Sequence, residues 1–145
     1  MKERKIAFTI ESDMKNVSLV GMTINKLCSL IPFSEAEAYQ IELCVVEAVN
    51  NCIEHAYGYQ KGRQVEVVFA IETDKLVVDV CDTGKPMDEK AMKNVDVAQL
   101  NIDPDNFHAM AEQGRGLLIM KQIMDTMTYN TNDDGKNCLT LIKNI

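Results

Sequence analysis

The chain has 145 residues, 46% of them hydrophobic and 26% charged, with a formal net charge of −7 at neutral pH. That length and balance exclude a disordered chain and fit one domain with a single core. The acidic excess excludes general nucleic-acid binding, which needs basic surface to displace counterions. No apolar run reaches the ~18 residues of a membrane span.

The basic start, Met1–Lys5, leads into a strand-like segment rather than a continuous apolar stretch, so no signal peptide is expected. Ile6–Ile10 alternates and reads as a short strand. Asp13 is placed to cap a helix running to about Leu30, with Val17, Val20, Ile24 and Leu27 on one face and Pro32 ending it. Ser34 followed by Glu37 is a capping-box pattern, and the next helix should run to about Tyr57, stopped by Gly58. Gln64–Thr73 and Lys75–Cys81 read as strands of an antiparallel hairpin turning near Asp74.

Beyond the turn-like Lys85–Asp88, Asp88–Val95 suits a short helix. Asp96–Gln113, with Pro104, reads as a loop placed to act as a lid, and it carries His108. A helix from Gly116 to about Met127 should follow, then a hairpin of Thr128–Thr131 and Asn137–Lys143 across Asp133–Gly135. This order predicts an α+β fold: a mixed, largely antiparallel sheet covered by helices on one face.

The five cysteines are odd in number and form no CxxC pair, and with only two histidines beside them a zinc site is not expected. Most lie in apolar patterns, which points to reduced thiols and a cytoplasmic location. The nine methionines sit mostly at core-like spacing.

Three segments carry chemistry. On the second helix Glu47 and Asn51 are four residues apart at the flank of an apolar sector of Ile41, Val45, Ala48, Val49, Cys52 and Ala56. A carboxylate and a carboxamide so placed can orient a nucleophile and hold a hard cation such as Mg²⁺, although the same spacing also occurs on plain solvated faces. Asp82-Thr83-Gly84 follows an apolar strand. The carboxylate there can accept from an exocyclic amine such as that of adenine, and the glycine admits a flat ring, while the triplet is also ordinary turn chemistry. Gly114-Arg115-Gly116 ahead of a helix can present backbone N–H groups to phosphate, with Arg115 adding charge, or can simply loosen the start of that helix. Together they supply metal ligand, base acceptor and phosphate cradle for one site.

With these motifs in this order the chain resembles the GHKL ATPase superfamily: Glu47…Asn51 looks like its N box, Asp82-Thr-Gly84 its first glycine box and Gly114-Arg-Gly116 its second. Over essentially the whole chain it is most similar to the small anti-sigma-factor serine kinases of the RsbW and SpoIIAB type. The stretch Glu47-Ala-Val-Asn-Asn51-Cys-Ile-Glu-His55-Ala-Tyr57 is the most specific part of the match. The resemblance implies a single ATP-binding kinase domain over residues 1–145, an α/β sandwich using ATP and Mg²⁺. It implies phosphoryl transfer to a serine of an anti-anti-sigma (STAS-type) partner, alternative binding of a sigma factor, and a homodimer, for which Ile6, Phe8 and Ile10 offer an edge. Carried over, Glu47 is the general base, Asn51 the Mg²⁺ ligand and Asp82 the adenine acceptor. Gly84, Gly114 and Gly116 shape the nucleotide pocket. Pro86 stands where the first glycine box usually has a second glycine, Glu54 where Lys is frequent, and Lys136-Asn137-Cys138 where the closing strand usually has Gly-Thr. These departures leave open a nucleotide-sensing binding module of the same fold without kinase activity.

Overall fold

The computed structural model describes residues 3–98 and 112–145. Its elements in chain order are β1 (Arg4–Glu11), a 3-10 turn (Met14–Asn16), α1 (Val17–Cys28), α2 (Glu35–Asn51), a π-helical turn (Cys52–Ala56), β2 (Gln64–Ile71), β3 (Lys75–Asp82), α3 (Glu89–Ala98), α4 (Glu112–Ile123), β4 (Thr126–Thr131) and β5 (Asn137–Asn144). The strands form one sheet in the order β1-β2-β3-β5-β4, and all four pairings are antiparallel. The expected α+β architecture is therefore present, with an antiparallel rather than mixed sheet.

Alternation along the strands decides which face the helices cover. Val65, Val67, Phe69 and Ile71 of β2 are buried, as are Leu76, Val78 and Val80 of β3 and Leu139 and Leu141 of β5. These join Val20, Ile24, Ile41, Val45, Val49, Leu117 and Met120 of the helices in one core. Gly21 lets α1 lie close on α2, since an added Cβ would sit 3.1 Å from Val46 Cγ2.

The start of α2 follows from its first residues. The Ser34 hydroxyl accepts from Glu37 N at 3.1 Å and the Glu37 carboxylate accepts from Ser34 N at 3.1 Å, a capping box that contributes about 1 kcal/mol. Asp13 does cap, accepting from Lys15 N, but the turn it opens is 3-10 and the α-helix proper begins at Val17.

Three expectations change. The sequence pattern predicts one continuous helix to Tyr57. Its last turn is instead π-helical, with Tyr57 N donating to Cys52 O five residues back, before Gly58 stops the chain at φ +56°. The last helix ends at Ile123, and Met127 belongs to β4, because β4 must extend to Thr126 to pair with Ile142. The cysteines are not all reduced: Cys81 and Cys138 form a disulfide, while Cys28, Cys44 and Cys52 are free and buried. The β3–β5 register sets Cys81 opposite Cys138 with Cα atoms 4.2 Å apart, a juxtaposition hidden by a separation of 57 residues. Such a cross-link typically stabilises by about 2–4 kcal/mol through the unfolded chain. Of the expected lid, residues 96–98 belong to α3 and 112–113 to α4; the rest, with His108, lies outside the described residues.

Candidate functional site

The site begins at the π-helical end of α2. The Ala56 carbonyl, at the end of this turn and so without an intrahelical partner, accepts from Lys85 N at 2.9 Å. That bond docks the β3 turn onto the helix end. The approach is so close that a Cβ at Gly84 would lie 2.3 Å from Ala56 O. Gly84 is thus required by backbone contact, a reason more specific than turn chemistry.

Tyr57 braces the same turn. Its buried hydroxyl donates to Gln64 O at 2.5 Å and accepts from Thr83 N at 2.8 Å. Arg63 lies 4.7 Å over the Tyr57 ring and donates to Thr83 O and Oγ1, each at 3.1 Å. The Asp82 carboxylate is 7% exposed; its Oδ1 accepts from Gly84 N at 3.0 Å and from Asn137 Nδ2 at 2.9 Å. Behind it lies the buried Cys52 thiol, whose pKa is pushed well up by burial first and then by the Asp82 charge. Cys52 is therefore a neutral thiol and not a nucleophile.

A cleft of about 210 Å³ opens between the end of α2 and the inner face of the sheet, on the scale of a heterocyclic base. Asn51, Cys52 and His55 line it from the helix end, Val80 and Asp82 from β3, and Tyr129 and Leu139 from the far strands. Tyr129 was not anticipated. It accepts from Met87 N at 2.9 Å and so ties β4 to the segment after Gly84, with burial first and then Asp82 raising the phenol's pKa. His55 sits at the rim beside Glu54, 3.8 Å away.

Glu47 is half-buried and lies outside this cleft, against α4. A Cβ at Gly116 would sit 2.9 Å from Glu47 Oε2, so the glycine makes room for the carboxylate. The second glycine motif thus meets the Glu47 side of α2 while Asn51, one turn on, faces the cleft. The expectation that Gly114-Arg115-Gly116 precedes a helix is corrected: all three residues lie within α4, which already includes Glu112. Packing of α4 on α2 holds the helix despite two glycines. Gly114 and Arg115 are half-buried and do not line the cleft.

The residues present fit a nucleotide. Asp82 offers carboxylate oxygen on an apolar wall, suited to an exocyclic amine. Asn51 is 8% exposed, yet its Nδ2 has no hydrogen-bond partner among the described residues, a donor open to an acceptor from outside them. No group of three His, Cys, Asp or Glu residues suited to a metal is present among the described residues. Mg²⁺ needs none, since it takes one or two protein oxygens and fills its shell with water and phosphate, and the Asn51 carboxamide can supply one.

Residues 10–143 match the family described as Histidine kinase-like ATPase domain. The chain belongs to that family. Among curated proteins, this histidine kinase-like ATPase domain is 26% identical over 131 residues to the serine-protein kinase RsbW of Bacillus velezensis, covering 88% of this chain and 78% of the relative. RsbW of Bacillus subtilis is 26% identical over 124 residues, covering 83% and 74%, and RsbW of Bacillus cereus strain B4264 is 26% identical over 141, covering 96% and 86%. Among solved structures, a chain of the SiaB–SiaC complex from Pseudomonas aeruginosa superposes with a TM-score of 0.66 at 15% identity, covering 94% of this chain and 88% of that one. This last likeness speaks to the fold. No helix among the described residues is long and apolar enough to cross a membrane.

Proposed function

We propose that the chain is an anti-sigma factor and serine protein kinase. It binds ATP with Mg²⁺ and phosphorylates a serine of an anti-anti-sigma partner of the STAS-domain type. The observation that carries this reading is the convergence of Asn51 and Asp82, from α2 and β3, on one apolar-walled cleft in a histidine kinase-like ATPase domain. The kinase names of the curated relatives support the reaction type.

In this reading Asp82 accepts the adenine amine at the inner end of the cleft, and Gly84 lets the turn close against Ala56. Asn51 holds Mg²⁺, which would neutralise phosphate charge when bound. Gly114 and Gly116 shape the phosphate end and Arg115 adds positive charge there. The Glu47 carboxylate takes the proton of the partner's serine hydroxyl as its oxygen accepts the phosphoryl group and ADP leaves. The whole chain, 1–145, acts as one domain. It pairs as a homodimer through β1, where Ile6 is 46% exposed on an edge strand, and binds a sigma factor as alternative partner. We place it in the cytoplasm, without direct nucleic-acid or membrane contact. There the Cys81–Cys138 pair meets a reducing thiol pool.

Incubation with γ-labelled ATP and a STAS-domain partner should place label on a partner serine. A second reading is motivated by Pro86 in the first glycine turn and Asn137 in the closing strand: a nucleotide sensor that binds its partner without transfer. It predicts partner affinity that differs between ATP and ADP while no label moves.

A further inference from the structure

Asp82, Asn137 and Thr131 stand in one row across three strands, paired Asp82↔Asn137 between β3 and β5 and Thr131↔Asn137 between β4 and β5. Asn137 is fully buried, and each of its polar atoms is engaged. Its Nδ2 donates to Asp82 Oδ1 at 2.9 Å and to Gly84 O at 3.0 Å, and its Oδ1 accepts from Thr131 Oγ1 at 2.8 Å. The Thr131 hydroxyl fixes which end of the amide faces Asp82. A threonine or serine at 137 would bring a single O–H donor and could not hold both the carboxylate and the Gly84 carbonyl.

Asp82 Oδ1 thereby receives two donors, Gly84 N and Asn137 Nδ2, which occupy both of its lone pairs. Oδ2 is left as the oxygen with capacity for a ligand. Because the amide is neutral, it holds the carboxylate in place without cancelling its charge, as a lysine or arginine there would. We propose that Asn137 is a positioning residue that locks the Asp82 rotamer, so that the site selects a purine bearing a 6-amino group over one bearing a 6-oxo group. Asn137 touches Asp82 and not the nucleotide. The proposal rests on Asp82 being the acceptor for the base.

The test is calorimetric titration with ATP and with inosine triphosphate, which differ at C6 as amine against carbonyl. The wild-type protein should favour ATP, since a carbonyl oxygen facing a carboxylate pairs two acceptors. Asn137→Ala should lower the ATP-to-ITP affinity ratio about tenfold, and Asn137→Thr should restore part of it. Thr131→Val, a milder change should Asn137→Ala fail to fold, should lower the ratio in the same direction by less. A merely structural role would weaken both nucleotides alike and leave the ratio unchanged in folded Asn137→Thr and Thr131→Val; that result overturns the proposal. Equal binding of both nucleotides by the wild-type protein would instead overturn the assignment of Asp82, and the proposal with it.

Discussion

Glu47→Gln is expected to lower the rate of phosphoryl transfer by roughly 10²–10⁴-fold, the range for loss of a general base, while leaving ATP affinity unchanged. The separation of the two effects follows from where the side chain sits. Glu47 lies against Gly116 and outside the cleft that Asn51 and Asp82 line, so in the proposed reaction the amide would remove the proton acceptor without altering that cleft. Glutamine is isosteric and keeps the clearance that Gly116 provides, and a fall in activity would therefore report lost basicity and not a displaced helix. Single-turnover transfer of labelled phosphate, run beside an ATP titration, distinguishes the possibilities. Full transfer in the variant would remove Glu47 from the reaction, and a parallel loss of ATP binding would make it a binding residue.

Gly84→Ala should destabilise the fold by about 2–3 kcal/mol, a fall in Tm of roughly 5–10 °C, and abolish ATP binding. The new methyl would lie 2.3 Å from Ala56 O, 2.7 Å from Ala56 C and 2.8 Å from Tyr57 Cδ1. None of these atoms can yield cheaply. Ala56 O belongs to the π-helical turn and already accepts from Lys85 N, and the Tyr57 ring is pinned at its hydroxyl by Gln64 O and Thr83 N. The turn must therefore back away from the helix, carrying Asp82 with it. Gly135→Ala is the useful comparison, because that glycine has φ +84° but open space around it. It should cost about 1 kcal/mol of backbone strain and leave ATP binding intact. Thermal melts of both variants with and without ATP decide the point; similar melts and retained binding in Gly84→Ala would refute the contact argument.

What the sequence made legible was local. The Ser34–Glu37 capping box, the apolar sector of α2, the stop at Gly58 and the two hairpins each depend on residues a few positions apart, and each appears where expected. The pairing of Glu47 with Asn51 on one flank was also readable, although not that they face different neighbours, α4 and the cleft. What stayed hidden depends on register or on tertiary contact. Helix periodicity does not encode the i−5 bond of the π-turn, nor that the terminal Ala56 O seats the glycine turn. Cys81 meets Cys138, and Asp82 meets Asn137, only once β3 and β5 are aligned. Lys136-Asn137-Cys138 registered as a missing Gly-Thr pattern; the structure shows a buried amide with a full set of partners instead. Gly114-Arg115-Gly116 read as the entry to a helix because propensity disfavours glycine inside one, and packing on α2 overrides that preference.

In the proposed function the cleft bounded by Asn51 and Asp82 binds ATP through the Asp82 carboxylate. Isothermal titration of the wild-type protein and of Asp82→Asn with ATP in excess Mg²⁺ tests it most directly. Saturable binding at one site per chain is expected in the wild-type protein, with an affinity at least about tenfold weaker in the variant, from losing a hydrogen bond to a charged group. No saturable heat in the wild-type protein, or the same affinity in a folded Asp82→Asn, would contradict it.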